Sequence, residues 1–314
     1  MMRDPIKMPT PAFALAHLSD PHLADWSVGR PWALANKRLS GWLSWRFNRS
    51  RIHLAHVLDL MVADIADQEV DHIAVTGDLI NISLPGEFEN AARWLRQLGP
   101  ADKVTAIPGN HDAYVSVPQS EGIGRWRDYM TDLAWERTDG AAAVDPFPFV
   151  RRVGPLALVG LSTAVPMPPF IAAGRLGTAQ LAALRNTLLQ LKESGACRVI
   201  LIHHPPFPST YKRKALLDAR DFMDVVREAG AELILHGHTH VAGLGRIGET
   251  PVIGVPSASA VKSGHNEAAA YNIYRIAPAE RDWKVTVEVR GLSADQGQFT
   301  ASGGFELTIP ALRH

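Results

Sequence analysis

The chain alternates short apolar runs with segments whose apolar residues recur every three or four positions. Phe13 to Ser19, His72 to Thr76, Val104 to Ile107, Arg198 to Ile202 and Leu233 to His236 are runs of strand length, and they predict buried strands. Phe149 to Val153 and Leu156 to Leu161 predict a strand pair around the Gly154-Pro155 turn. Val252 to Val255, Tyr271 to Ile276 and Trp283 to Val289 also read as β. The helical period covers Ile52 to Ile65, with Ser50 as its N-cap, and Pro85 to Leu98, with Gly99 as its stop. It returns after Thr178, in Leu181, Leu184, Leu188 and Leu191, and from Leu216 to Ala229, where Gly230 ends it. Tyr114 to Asp145 and the Pro-rich stretch Ala164 to Gly177 carry no clear period. Strand–helix alternation with added hairpins predicts an α/β protein with a mixed sheet covered by helices. Ligand sites in such sheets gather in the loops beyond strand C-terminal ends.

Composition narrows this little. The 314 residues suffice for one large domain, and no repeat or linker divides positions 1–314. Lys+Arg 32 balances Asp+Glu 32, so no basic field points to a nucleic-acid polymer as partner. A single cysteine, Cys197, excludes a disulfide framework and a multi-cysteine zinc site. No apolar run is long enough to span a bilayer. The apolar stretch Ala12 to Ala16 is too short for a secretory leader and runs straight into the first strand. A cytoplasmic protein is expected.

One segment stands apart, an insert at about 26–51. From Arg30 to Arg51 it holds Arg30, Lys37, Arg38, Arg46, Arg49 and Arg51 with no acid, interleaved with Trp32, Trp42, Trp45 and Phe47. It reads in three ways. It could be a helical hairpin with buried tryptophans. It could hold a nucleotide, with cations on phosphate and aromatics on a base. It could rest on anionic lipid, which would make the protein membrane-peripheral.

The chemistry lies where apolar strands run into polar residues. Asp20 and His22, Asp78, Asn110 and His111, His203, and His238 and His240 each follow a predicted strand. In extended backbone alternate side chains share a face, which would turn His238 and His240 into one pocket. Five strand ends carrying metal-type donors imply a shared metal centre. Oxygen and nitrogen donors without sulfur suit Mn, Fe or Zn. The donors outnumber the needs of one ion. Two ions bridged by a carboxylate, roughly 3.5–4 Å apart, would use them all. His17, His53, His56 and His72 have no donor partner in sequence and read as structural, as does His236.

The motifs Asp20-Pro21-His22, Gly77-Asp78, Gly109-Asn110-His111-Asp112, His203 and Gly237-His238-Thr239-His240 resemble those of the calcineurin-like metallophosphoesterase superfamily. That resemblance implies a four-layer αββα sandwich of two mixed β-sheets flanked by helices, with a dinuclear site at strand C-terminal ends. It implies Asp20, His22 and His240 as ligands of the first ion. Asn110, His203 and His238 would serve the second, and Asp78 would bridge. A hydroxide held between the ions would attack phosphorus, and His111 would protonate the leaving oxygen. Asp112 or Asn81 could orient His111. His204, in the His203-His204-Pro205-Pro206 run, could line the substrate pocket together with Asn81 and His265. Asn81-Ile82 stands where protein Ser/Thr phosphatases of the superfamily carry Asp-Arg, which weakens a protein-phosphatase reading. The layout most resembles bacterial class III cyclic-nucleotide phosphodiesterases, so a small phosphodiester is the expected substrate and a homodimer a compatible state. The alternatives are a lipid-linked phosphoester or pyrophosphate hydrolase and a broad phosphomonoesterase.

Overall fold

A computed structural model describes residues 12–23, 34–47, 49–131, 147–263 and 267–311. Two six-stranded sheets form its centre. One runs through β12 (Phe299–Pro310), β11 (Asp282–Leu292), β10 (Ala270–Pro278), β1 (Phe13–Leu18), β2 (His72–Val75) and β3 (Val104–Ala106). The other runs through β4 (Phe149–Val153), β5 (Leu156–Gly160), β6 (Cys197–Leu201), β7 (Leu233–His236), β9 (Thr250–Gly254) and β8 (Gly243–Ile247). Strands β1, β2 and β3 are parallel, as are β5, β6, β7 and β9. The helices are α1 (Arg38–Phe47), α2 (Ala55–Asp67), α3 (Pro85–Leu98), α4 (Thr178–Glu193) and α5 (Ala219–Ala229). No helix among the described residues is long and apolar enough to cross a membrane.

Side-chain alternation builds the layers. Leu156, Leu158, Val199, Leu201, Leu233 and Leu235 join a core shared with the first sheet, α2 and α3. Their neighbours Ala157, Val159, Ile200, Ile202 and Ile234 join the second core, with Leu184 and Leu188 of α4 and Phe222 of α5. Strands buried on both faces read as continuous apolar runs, so the pattern announced a sheet without saying how many. The result is two mixed sheets face to face with helices outside.

Other differences from the sequence pattern have local causes. Helix α2 begins at Ala55 rather than Ile52, and Ser50 does not cap it. Leu54 is extended instead, and His53 bridges to Ala260. Val261 N–H donates to Ile52 O at 2.9 Å and Leu54 N–H to Ser259 O at 3.0 Å. Helix α5 starts at Ala219, because Leu216 bridges to Gly174 and Leu217 N–H donates to Gly174 O at 2.9 Å. The pattern missed β8 and β12. Both are sheet edges interrupted by glycine and largely exposed, so neither carries an apolar run. The later half of the insert is α1, and residues 24–33 and 48 lie outside the described set.

The strands that carry His203 and His238 are locked together by charge. Arg198 on β6 and Glu232, just before β7, are 1% and 3% exposed at the side chain and pair at 2.8 Å. Arg198 Nε donates to the same carboxylate at 3.0 Å, and its Nη1 donates to the carbonyls of Leu188 and Ala229. Removing one partner strands a buried charge, which costs about 3–5 kcal/mol. Glu232→Ala should therefore lower the unfolding free energy by that amount in urea titration, more than Glu228→Ala at the exposed Arg185 pair, where solvent screens the charges.

Candidate metal centre

The donor-bearing strand ends come from two sheets, not one edge. Strands β1, β2 and β3 of the first sheet and β6 and β7 of the second all point the same way. Backbone bonds stitch their loops together. Asp20 N–H donates to Gly77 O at 3.0 Å, His22 N–H to Asp78 O at 3.1 Å and Gly237 N–H to His203 O at 3.1 Å. His238 N–H crosses between the sheets to Asp20 Oδ2 at 2.9 Å.

These loops bend through an uncommon backbone region. Asp20, His22, Asp78, His238 and His240 have φ of 54°, 44°, 56°, 72° and 57°. Non-glycine residues enter this left-handed region in a few per cent of cases. Each such residue stores on the order of 1–3 kcal/mol and persists where its surroundings fix it. Simple strand alternation thus does not explain how His238 and His240 converge. They flank a turn in which Thr239 N–H donates to Gly237 O at 2.9 Å. Glycine is required beside them. A Cβ on Gly237 would overlap Ser19 Oγ and Asp20 Oδ2, and one on Gly109 would overlap Asp78 Oδ1.

The donor atoms are spaced as ligands. His22 Nε2 and His240 Nε2 are 3.2 Å apart, and His240 Nε2 lies 3.2 Å from Asp20 Oδ1. His203 Nε2 lies 3.2 Å from Asn110 Oδ1 and 3.3 Å from Asp78 Oδ2. His22 Nε2 is 3.8 Å from Asp20 Oδ1 and 3.9 Å from Asp78 Oδ2. Ligands about 2.0–2.1 Å from a shared ion stand roughly 3–4 Å from each other. Asp20, His22 and Asp78 form one group, and Asp78, His203 and His238 another. Asp78 belongs to both, so these residues fit two cations better than one. Outer hydrogen bonds aim the imidazoles. His203 Nδ1–H donates to Thr76 O at 2.7 Å and His238 Nε2–H to Lys214 O at 3.0 Å. Each bond turns the opposite nitrogen's lone pair toward the cluster.

The charges are mutually dependent. Burial alone would raise the Asp20 carboxyl, but His240 beside it outweighs burial and holds it well below the usual range. Burial opposes ionisation of Asp78 too, and His203 and His111 pull it down. Burial disfavours a charge on His203, yet Asp78 and Asp20 push its pKa up to about 9. His238 is driven well below its usual value by burial, then by His204 and His203.

His111 sits on the rim, with its ring stacked on Tyr114 at 6.0 Å. Its Nδ1–H donates to the backbone carbonyl of Asn81 at 2.5 Å. Asp112, expected to act with it, does not touch that ring. Its carboxylate accepts from Ile80 N–H at 3.1 Å and Gly109 N–H at 2.8 Å, and so shapes the loops instead. Burial and the neighbouring Asp78 raise its pKa well above normal. The Asn81 side chain donates away from the site, to Leu23 O. Glu87 fixes this loop by accepting from the amides of Asn81, Ile82 and Leu84.

His204 does not line the cleft as expected. Its two nitrogens meet Thr163 Oγ1 at 2.7 Å and Ala172 O at 3.1 Å, and its buried ring packs 4.2 Å from that of His238. It packs behind His238 rather than facing the cleft. His265 lies outside the described residues. His53 is the residue the sequence reading missed. It is 2% exposed, and its ring centroid lies 4.6 Å from that of His22 and 5.5 Å from that of His240. Its assignment to a helix hid this, and its place beside Ser257 and Ser259 depends on contacts some 200 residues away.

A family model described as calcineurin-like phosphoesterase matches residues 13–242, well over half of the chain. The chain therefore belongs to that family, whose members hydrolyse phosphoesters at dinuclear metal sites. No curated protein matches its sequence. A dimetal phosphatase from Danio rerio is similar over 96% of this chain and 100% of its own, at 15% identity and a TM-score of 0.56. A purple acid phosphatase from yellow lupin (Lupinus luteus) seeds is similar over 95% of this chain and 54% of its own, at 12% identity and a TM-score of 0.60. At these identities the likeness shows the fold.

Two tests follow from the geometry. Gly237→Ala should displace Asp20 and weaken zinc binding about 10–100-fold, the usual cost of losing a supporting contact. Calorimetric titration would read this, with circular dichroism showing a retained fold. With a pKa of about 9, His203 carries a proton at pH 7 that a cation must displace. Metal uptake should release protons, and affinity should rise with pH until about 9, readable as buffer-dependent binding heats.

Proposed function

We propose that this phosphoesterase hydrolyses small phosphodiesters. The observation that carries the choice is charge. The metal cleft holds about 200 Å³, and among its described lining residues Lys214 is the one lysine or arginine. A diester brings a single negative charge and a monoester brings up to two, so this lining matches the diester better. A second cavity of about 300 Å³ adjoins the cleft, sharing Asn110, His111 and Ala172 with it. It offers space for the organic group of a leaving alcohol on the side where His111 stands. Cyclic nucleotides, the substrates implied by the motif resemblance to class III phosphodiesterases, are small enough to try first.

In this reading Asp20, His22 and His240 hold one ion, and Asn110, His203 and His238 hold the other. Asp78 is shared. When bound, the ions would neutralise phosphate charge and acidify a water for attack, and the donor set suits Mn, Fe or Zn. His111 does the remaining work. Its Nδ1–H is committed to Asn81 O, which fixes the ring and makes Nε2 the site that gains and loses the mobile proton. Protonated there, it supplies the proton a departing alkoxide needs.

A specific feature favours a second reading, action at a membrane surface. Lys37, Ser40, Gly41, Ser44 and Trp45 line the second cavity at helical spacing. The other face of α1 shows Leu39, Leu43 and Phe47 at 48%, 41% and 66% exposure. The helix turns Ser40, Gly41 and Trp45 toward the cavity and leaves leucine and phenylalanine exposed on its other face, where an ordinary surface helix carries polar residues. An apolar face in a segment rich in Arg and Lys would suit anionic lipid.

With manganese present, turnover of bis-p-nitrophenyl phosphate should exceed that of p-nitrophenyl phosphate, and a monoester preference would sink the diester reading. His111→Ala should keep its metal and lose about 10²–10⁴-fold in kcat. Full activity would remove its assigned role. Sedimentation with phosphatidylglycerol vesicles, lost in Leu43→Glu/Phe47→Glu, would carry the membrane reading, and no binding would end it.

A further inference from the structure

His53 stands in the metal cleft without a role in the motif set. One nitrogen from each of His22, His53 and His240 lies within 4.8 Å of the others. The residue is held on both sides of its backbone. It bridges to Ala260, Leu54 N–H donates to Ser259 O, and Val261 N–H donates to Ile52 O. This clamp replaces the first turn of a helix with an extended residue and carries its ring beside His22, with which it makes an edge contact at 61°.

The serines behind it hold its Nδ1 and accommodate a hydrogen there. Ser257 Oγ donates its proton to Asp20 O at 2.7 Å. Toward His53 Nδ1, 3.3 Å away, that oxygen can only accept. Ser259 Oγ lies 2.8 Å from the same Nδ1 and can pass its own proton to Ser257 Oγ at 3.4 Å. With the hydrogen on Nδ1, every hydroxyl proton in the cluster has an acceptor. With the hydrogen on Nε2, Ser257 Oγ and Nδ1 would face each other as two lone pairs. In the Nδ1–H form the ring donates to Ser259 Oγ and carries its lone pair on Nε2. Metal-ligating histidines are oriented in this way, with the second nitrogen donating to a fixed acceptor. Ser257 also touches the Asp20 backbone, so one serine positions two donors of the same site.

We propose that His53 is a further ligand of the first metal site, through Nε2, beside His22, His240 and Asp20. This rests on the dinuclear reading of the centre. The two sites then differ in kind. The first offers three imidazoles and is nitrogen-rich. The second offers two imidazoles and the Asn110 amide oxygen. Nitrogen donors favour zinc, iron or cobalt over manganese, so the first site should select the later metal and the second should tolerate manganese. Neither the strand-end motifs nor their spacing distinguishes the sites in this manner.

Cobalt substitution tests the assignment without recourse to turnover. The full chain would be loaded with Co²⁺ alone and its hyperfine-shifted, exchangeable imidazole N–H resonances counted by proton NMR. Five signals are expected, from His22, His53, His203, His238 and His240. Four signals overturn the proposal. His53→Ala should remove one signal, leave four and weaken first-site cobalt binding at least tenfold. Retention of the wild-type count and affinity overturns it. Ser259→Ala keeps the imidazole and should shift the His53 signal alone, which guards against a folding defect in the alanine variant. A chain that takes up no cobalt contradicts the dinuclear reading itself, a result distinct from four signals on a loaded protein.

Discussion

Asp20 and Asp78 are buried together at 0% and 2% exposure, inside one pocket with four motif imidazoles. Two carboxylates so placed repel each other in a medium that screens charge poorly. Positive charge must answer them. A protonated His203 supplies part of it, and the elevated pKa of His203 records that demand. A cation answers it more completely, because several donors can share one ion at the spacings found here. The same constraint accounts for the five left-handed residues. Backbone strain is tolerated where it converges donors and where neighbouring loops leave no alternative.

The rest of the molecule keeps these loops in place. Sheet register brings β1, β2 and β3 to the same end as β6 and β7, and His238 N–H on Asp20 joins the two sheets at that end. Buried charge acts as fastening behind the site. Arg198 and Glu232 tie β6 to β7, Glu87 grips residues 81–84, and Asp112 holds the loops of Asp78 and Asn110. Around the mouth, α1 is clamped rather than loose. Lys37 Nζ donates to Met167 O at 2.6 Å, Arg38 donates to the carbonyls of Ile82 and Ser83, and Gly41 lets the helix press onto Ile82 and Tyr114. The cavity beside His111 is thus bounded by a fixed wall, as a subsite with chemical preference requires.

Much of this was legible in the chain. Apolar runs marked the central strands, and each donor announced itself by following one. His238 and His240 fall to different groups, as the motif resemblance implied. What failed did so for physical reasons. Strands buried on both faces lose their alternation, so the apolar pattern of Leu156 to Gly160 alone could not reveal the second sheet, which the motif resemblance implied and the structure contains. Edge strands such as β8 carry glycine and exposed residues and leave no apolar trace. Asp112 follows His111 in sequence but holds the amides of Ile80 and Gly109 instead, while Asn81 does orient the ring, through its backbone carbonyl, which no side-chain pattern encodes. His204 follows a donor yet turns to Thr163 and Ala172, because neighbouring residues past a strand end need not share a face. His53 was invisible for the opposite reason, since its partners lie at residues 257–260.

The chemistry of the site depends on Asp78 being shared by two cations. Crystals of the manganese-loaded chain, with data collected on both sides of the manganese absorption edge, locate those ions directly. Two anomalous peaks are expected, roughly 3.5–4 Å apart, with the Asp78 carboxylate between them. A single peak, or a pair of peaks that leaves Asp78 without contact to either, would contradict that sharing.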